Sequence, residues 1–286
     1  MPSPLCNLAR RRFLRLSLAT GAGVAACAYP FVAEHRLVRI NRYRIPVPRL
    51  PEAFRGFTIA QLTDLHHGPL VPASFLRRVV EHTLALGADL VALTGDYITG
   101  TEGTGSVDSV WDVLGPLHAP AGVHAVLGNH DFGQMYRSRD RLDASGWSLH
   151  GRVQPLRRNG QTLWLAGAGD FRRDHLPLDP LLDQIPPDDC RVVLAHNPDT
   201  ADTRRSGRVD LFVTGHTHGG QVRLPFLGAP VLPVRNKTYS SGLKTSPRGE
   251  PVFICRGIGW SILPVRFLCP PELAVLELVP GPEAAT

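Results

Sequence analysis

The chain has 286 residues, 43% hydrophobic and 20% charged, a balance that suits one large folded core and excludes a disordered chain. Its formal charge is +6, but Arg10, Arg11, Arg12 and Arg15 lie within residues 1–28, which hold no acid; six less four leaves +2 on the remainder. Bulk charge therefore gives no argument for a nucleic-acid partner, and the lack of any repeat of roughly 20–50 residues argues against a solenoid.

The N-terminus reads as an export signal. Arg10-Arg11-Arg12-Phe13-Leu14-Arg15 has the spacing of a twin-arginine signal, with Ala9 where a serine often precedes the pair. Residues 16–33 carry no charge, a run long enough to enter a bilayer and only just long enough to span it. Ala26-Cys27-Ala28 offers a small-residue cleavage site, and Val24-Ala25-Ala26-Cys27 a loose lipidation box. Three readings stand: a cleaved signal peptide over 1–28, a lipid anchor, or a retained membrane anchor. Each makes the twin-arginine export machinery a partner and places the main domain in the periplasm or at the outer face of the cytoplasmic membrane. Beyond this segment Cys190, Cys255 and Cys269 form no C-x-x-C pair, which disfavours zinc-finger and thioredoxin readings. One disulfide among the three would suit an oxidising compartment, with the pairing left open.

Residues 29–56 read as an N-terminal strand and connector: 37–47 alternates imperfectly, as an edge strand does, before Pro46, Pro48 and Pro51 break it. The main domain is expected over 57–280. Residues 57–62 form a short strand running into Thr63-Asp64-Leu65-His66. Leu76, Val79, Val80, Thr83 and Leu84 predict a helix over 74–86 with one buried face, and Gly87 is placed to stop it. A second strand, 89–93, ends at Gly95-Asp96. Val107, Val110, Trp111, Leu114 and Leu117 repeat the helical spacing, and a third strand, 123–127, ends at Gly128-Asn129-His130-Asp131. This rhythm predicts α/β architecture. The second half carries strands with less helix: 163–166, then 192–195 ending at His196-Asn197, then 211–213 ending at Gly215-His216-Thr217-His218-Gly219-Gly220. From Val222 onward Pro and Gly punctuate short apolar runs as far as a strand at 273–278. No linker divides the halves, so they are expected to share one core.

Each ligand-type cluster starts where the apolar cover of a strand stops, and strand ends on one sheet edge converge on a common crevice. Asp64 and His66, two apart on extended chain, point the same way and can chelate one ion; alone such a triplet is common by chance. Asp96 alone is an ordinary turn residue, but a single carboxylate between two ions can bridge them. Asn129 offers a neutral oxygen. His130 beside it is free to donate a proton, with Asp131 placed to hold its ring and favour its charged form. His216 and His218, flanked by glycines that permit positive φ, can reach two different ions. His196 by itself is more often a satisfied core residue. Together these oxygen and imidazole ligands, without a cysteine cluster, predict two divalent ions, manganese, iron or zinc. His67 and His124 flank the site, where either could line it or be a solvated or packed side chain; His35, His82, His118, His150 and His175 have no such context.

The ordered set Asp64-x-His66, Gly95-Asp96, Gly128-Asn129-His130-Asp131, His196 and Gly215-His216-x-His218 resembles the calcineurin-like metallophosphoesterase superfamily. Residues 215–242, with Arg256-Gly257-Ile258-Gly259 and Pro264-Val265-Arg266-Phe267, resemble its exported bacterial YkuE-like branch. The resemblance implies a two-layer β-sandwich flanked by α-helices. By motif, Asp64, His66 and His218 would hold the first ion, Asp96 would bridge, and Asn129, His196 and His216 would hold the second, with His130 protonating the leaving group. It implies hydrolysis of a phosphoester, small or lipid-linked, with a cell-envelope phosphodiester as the expected substrate class. A UDP-2,3-diacylglucosamine diphosphatase-like pyrophosphate hydrolase and a non-enzymatic, metal-stabilised envelope binding protein are the alternatives. Loops 97–106, 132–150 and 222–245 are expected to set selectivity.

Overall fold

The computed structural model describes residues 4–100, 104–174 and 176–282; His175, the 101–103 stretch of the 97–106 loop and the side chains of Arg10, Arg11 and Arg12 lie outside the described residues. The chain enters through a long helix, α1 (Pro4–Val32), then β1 (Arg39–Val47), β2 (Thr58–Leu62), α2 (Ala73–Ala85), β3 (Leu90–Leu93), α3 (Thr104–Leu114) and β4 (Val123–Ala125). It continues with α4 (Met135–Ala144), β5 (Val153–Arg158), β6 (Gln161–Gly167), the short α5 (Asp179–Leu182), β7 (Cys190–Leu194), β8 (Leu211–Thr214), β9 (Gly242–Thr245), β10 (Pro251–Ile254) and β11 (Glu272–Pro280).

Two mixed sheets result. One runs β1-β11-β2-β3-β4 and the other β5-β6-β7-β8-β10-β9. Strands β2, β3 and β4 are mutually parallel, as are β6, β7, β8 and β10, so their C-terminal ends share an edge in each sheet. Side chains alternate between faces along each strand. Ile59, Leu90 and Ala92 meet Leu165, Val192, Leu194 and Val213 of the opposite sheet in one buried layer. Ala60, Leu62, Val91 and Leu93 face the other way, against Leu76, Val79 and Val80 of α2 and Val110 and Trp111 of α3. Val193, Phe212 and Val252 turn outward beneath Leu181, Leu182 and Tyr239. The architecture is the expected helix-flanked, two-layer α/β sandwich, and both halves of the chain share its central core.

The expected helix at 74–86 and the strands after it lie where periodicity put them. Three features do not follow from that reading. The 132–150 loop contains α4. Strand β5 pairs antiparallel with β6 through Asn159-Gly160, whose φ values of 49° and 75° make the two-residue hairpin turn that Asn-Gly favours. Finally, β1 lies parallel to β11 from Arg39↔Glu272 to Val47↔Pro280, which ties the segment before residue 57 into the first sheet. The three described-core cysteines Cys190, Cys255 and Cys269 are free and buried.

Candidate metal centre

The two sheets are stitched together just beneath their shared edge. Gln61 donates through Nε2 to the Thr94 hydroxyl at 2.8 Å and to the Thr214 carbonyl at 2.9 Å. Beyond β2, β3 and β8 the chain turns sharply: Asp64, His66, Asp96, His216 and His218 adopt φ of 54°, 48°, 56°, 69° and 51°. Non-glycine residues held there each cost roughly 1–3 kcal/mol, which only a well-packed surround maintains. A fully buried Leu or Ile stabilises by roughly 1.5–3 kcal/mol, so the layers beneath the site outweigh this strain. Neighbouring glycines make room for it. A Cβ on Gly215 would meet Thr63 Oγ1 at 2.2 Å and Asp64 Oδ2 at 2.5 Å, and one on Gly128 would meet Asp96 Oδ1 at 2.3 Å.

These turns, together with His196 after β7, bring six of the expected side chains into convergent groups. Asp64, His66 and His218 form one convergent group and Asp96, His196 and His216 another, with His66, Asp96 and His130 overlapping both; within each group the facing atoms lie within 4.8 Å. Asp96 Oδ2 sits between the two halves, 3.2 Å from His196 Nε2 and 3.6 Å from His66 Nε2. His218 Nε2 is 3.3 Å from Asp64 Oδ1. Asn129 borders the same cavity as Asp96, His130, His216 and His218, and its buried Oδ1 has no hydrogen-bond partner.

The donor chemistry fits divalent cations. His196 Nδ1 lies 2.8 Å from the Thr94 carbonyl and His216 Nε2 lies 3.1 Å from the Pro233 carbonyl, so each of those nitrogens carries the proton. In neutral rings the nitrogens left over, His196 Nε2 and His216 Nδ1, would face each other at 3.0 Å with lone pairs opposed, a contact that a cation between them or a proton on His196 resolves. His66 Nε2 and His218 Nε2 are also 3.0 Å apart. Opposed lone pairs beside buried carboxylates call for positive charge, and carbonyl-fixed imidazoles are the usual setting of metal-ligating histidines.

The titration behaviour says the same. Burial pushes His66 and His216 down to about 3 and lowers His218 as well, keeping these rings neutral and able to ligate. Burial raises Asp64 to about 6, with His196 opposing and Asp96 adding to the rise. Burial also opposes a charge on His196, yet the carboxylates of Asp96, Asp64 and Asp170 outweigh it and lift the ring to about 10. The cluster therefore favours one cation at its centre even when that cation is a proton.

One expectation fails. Asp131 does not hold the His130 ring. Its Oδ2 accepts from the backbone N–H of Asp96 at 2.9 Å and of Gly128 at 2.8 Å, and its Oδ1 from that of Tyr97 at 2.9 Å. Fully occupied in this way, it staples the turn after β3 to the turn after β4. The His130 ring is oriented instead by the Thr99 carbonyl, 2.5 Å from Nδ1, and stands 4.8 Å from the His66 ring, edge to face. A backbone carbonyl leaves no trace in a motif. His67 and His124 do not line the site: His67 bonds the Val71 carbonyl and Ser109 hydroxyl, and His124 the Ala121 carbonyl.

Two residues were not anticipated. Asp170, buried after β6 with Oδ2 unpartnered, adds negative charge behind His196; it follows a strand as the recognised ligands do, and that position was the available signal. Arg172 lines the cavity and donates to the Pro233 carbonyl, the same carbonyl that fixes His216. Nothing in the local sequence marks it.

Fold and site together define a metallophosphoesterase: a two-sheet sandwich whose strand ends gather buried His/Asp clusters of the kind that hold two metals. The chain belongs to the calcineurin-like phosphoesterase family, which it matches over residues 57–220. It is 31% identical over 277 residues to the phosphodiesterase YaeI of Escherichia coli, spanning 95% of this chain and 100% of that one. It is 29% identical to the uncharacterized metallophosphoesterase YkuE of Bacillus subtilis, over 95% and 98% of the two chains. A UDP-2,3-diacylglucosamine pyrophosphatase, LpxG of Chlamydia muridarum, is 25% identical over 87% of this chain and 92% of its own.

Proposed function

We propose that this protein is a metal-dependent phosphodiesterase of the cell envelope. The observation that carries the hydrolytic part is the shared carboxylate oxygen, Asp96 Oδ2, placed between two histidine-bearing half-sites. Asp64, His66 and His218 would hold one ion and Asn129, His196 and His216 the other, with Asp96 between them; the nitrogen and oxygen mix suits manganese, iron or zinc. When bound, such a pair lowers the pKa of water and neutralises phosphoryl oxygens. The chain's own part is positional. Thr99 fixes the half-buried His130 so that Nε2 faces the cavity and donates a proton to the departing oxygen. Arg172 offers a guanidinium at the cavity wall to orient a phosphoryl oxygen. Asp131 keeps Asp96 and His130 in register by pinning the backbone of both turns.

The diester preference is supported by the likeness to YaeI, which spans 95% of this chain and all of that one. Metal-loaded protein assayed with bis-p-nitrophenyl phosphate and p-nitrophenyl phosphate tests it: faster turnover of the monoester would overturn the diesterase reading, and turnover of neither would overturn hydrolysis. The LpxG likeness supports pyrophosphate hydrolysis as the second reading, checked by phosphate-ester release from a UDP-linked substrate.

The envelope location is supported by Arg10-Arg11 and by the Phe13–Arg36 stretch, which begins in α1 and is long and apolar enough to cross a membrane. Residues 1–28 would act as signal or anchor, 29–56 as strand and connector, and 57–280 as the catalytic unit. Replacing Arg10 and Arg11 with lysine should retain the protein in the cytoplasm. Unchanged export of that variant would remove the twin-arginine machinery as a partner.

A further inference from the structure

Beside the candidate metal centre lies a cavity of about 440 Å³ whose polar floor is Asp96, Asn129 and His218. Its outer wall has a different character. Val222, Val231, Ile262, Leu263 and Val265 line it, and the apolar surface continues past the rim onto side chains that touch no core. Phe226 is 108% exposed, Leu227 79%, Val231 72% and Ile262 86%. Val231 and Ile262 line one cavity, and Phe226 and Leu227 extend the segment that carries Val231; large apolar residues exposed together in such a lip mark an interaction surface.

The backbone holds this lip outward under strain. Phe226 sits at the tip of a turn closed by two hydrogen bonds between Leu224 and Gly228, of 2.8 and 2.9 Å, with φ of 65°. Ile262 has φ of 66°, a conformation that is a true outlier for a β-branched residue, under a bond from Leu263 N–H to the Ser261 carbonyl at 2.7 Å. Neither strain buries anything.

Two further observations say what covers the lip. From Leu211 to Pro271 the only acid is Glu250, against Arg223, Arg235, Lys237, Lys244, Arg248, Arg256 and Arg266; Glu250 is already paired with buried Arg205. Of the basic residues, Arg223 directly flanks the first lip segment, and Arg172 adds a guanidinium at the cavity wall, whereas Arg266 is buried beneath the second segment. The base of α1 is also fastened to the lip's own loop: Arg266 N–H donates to the Pro30 carbonyl at 3.1 Å, and Cys269 N–H to Glu34 Oε1 at 2.8 Å. His35 packs edge-on against Trp260 at 4.5 Å. The one helix among the described residues that is able to enter a membrane is therefore joined to the segment that carries Ile262 and Leu263.

We propose that the lip formed by residues 224–231 and 261–265 docks on an anionic lipid bilayer, and that the cavity takes an amphiphilic phosphoester from it, phosphate at the metal centre and chain along the apolar wall. This rests on the hydrolase reading for its substrate half alone; the docking half stands on the surface itself. Apolar tips with basic flanks are the pattern of proteins seated at a bilayer interface.

Docking is tested on the full chain with Cys6→Ser and Cys27→Ser, reconstituted in phosphatidylglycerol/phosphatidylethanolamine vesicles. An environment-sensitive fluorophore is attached at Phe226→Cys or, as a control, at Arg157→Cys on the opposite end of the sandwich. Bromine on the acyl chains should quench the position-226 label several-fold more than the control; equal quenching overturns docking. The substrate half is tested with alkyl p-nitrophenyl phosphate diesters of rising chain length. Each buried methylene is worth about fourfold in kcat/KM, so a hexyl ester should exceed the methyl ester by at least about tenfold. Turnover independent of chain length overturns the amphiphile assignment. No turnover of any ester overturns the hydrolase reading instead and with it the substrate half, whereas the quenching result is untouched by it.

Discussion

Replacing Asp96 with asparagine removes one charge from the middle of the site and little else. The side chain is buried, and its Oδ1 accepts from the His130 backbone N–H at 2.8 Å, a bond an amide oxygen keeps. What is lost is the attraction between Oδ2 and whatever cation lies beside it. At the 3.2 Å that separates Oδ2 from His196 Nε2, two unit charges in a medium of effective dielectric about 20 attract by about 5 kcal/mol. The lift of His196 to about 10, made against burial, has the same sign, with Asp96 its foremost source and Asp64 and Asp170 adding to it. The Coulomb figure sets the scale: Asp96→Asn should weaken metal binding by about three orders of magnitude. Equilibrium dialysis with metal analysis reads it directly, and near- and far-ultraviolet circular dichroism confirms the fold. A folded Asp96→Asn protein that keeps both metals and its turnover would refute the shared-carboxylate argument.

Other expectations follow from the same geometry. His130→Ala should lower kcat by roughly 10²–10⁴-fold while metal content stays at the wild-type level; loss of metal as well would make His130 a ligand rather than a proton donor. Asp131→Ala should strip four backbone N–H groups of their acceptor, costing roughly 3 kcal/mol or more of stability, seen as a lower Tm and denaturant midpoint; normal stability with lost activity would restore a direct catalytic part. Gly215→Ala should displace Asp64, because the added carbon meets its Oδ2 at 2.5 Å, and reduce metal occupancy measurably. In metal-free protein, the folded-state depression of His66 and His216 to about 3 contributes stability that is present above pH 6.5 and lost as pH falls toward 3. Asp64 and Asp210, raised to about 6, and Asp131, raised to about 7, work the other way, their stability growing as pH falls from those values toward 3.8, so the histidine part is isolated by comparison with His216→Asn. Calorimetry of metal-free protein should show Tm falling more steeply below pH 6.5 in the wild type than in His216→Asn; identical profiles down to pH 4 would contradict the assignment of a neutral, buried His216 ring.

Much of this protein is written in local pattern. The apolar periods at Leu76–Leu84 and Val107–Leu117, and the five strands each breaking into a polar cluster, are dictated by burial on one face, and burial is what periodicity records. The histidine and aspartate types at those strand ends carry the coordination chemistry with them, so seven candidate ligands were readable before any coordinates. What the chain could not show in one dimension is which groups meet across the sandwich. Asp131 and His130 are adjacent in sequence, yet the Asp131 carboxylate turns to the backbone of Asp96 and Tyr97, and Thr99 takes the ring. The parallel pairing of β1 with β11 joins residues more than two hundred positions apart, which no local signal encodes. Arg172 and the lip at Phe226 and Ile262 acquire meaning only because loops distant in sequence close around one cavity. Residue type and spacing set the available chemistry; the packing of one sheet on the other chose which atoms face each other, since only there do long-range burial and the strained turns it supports compete.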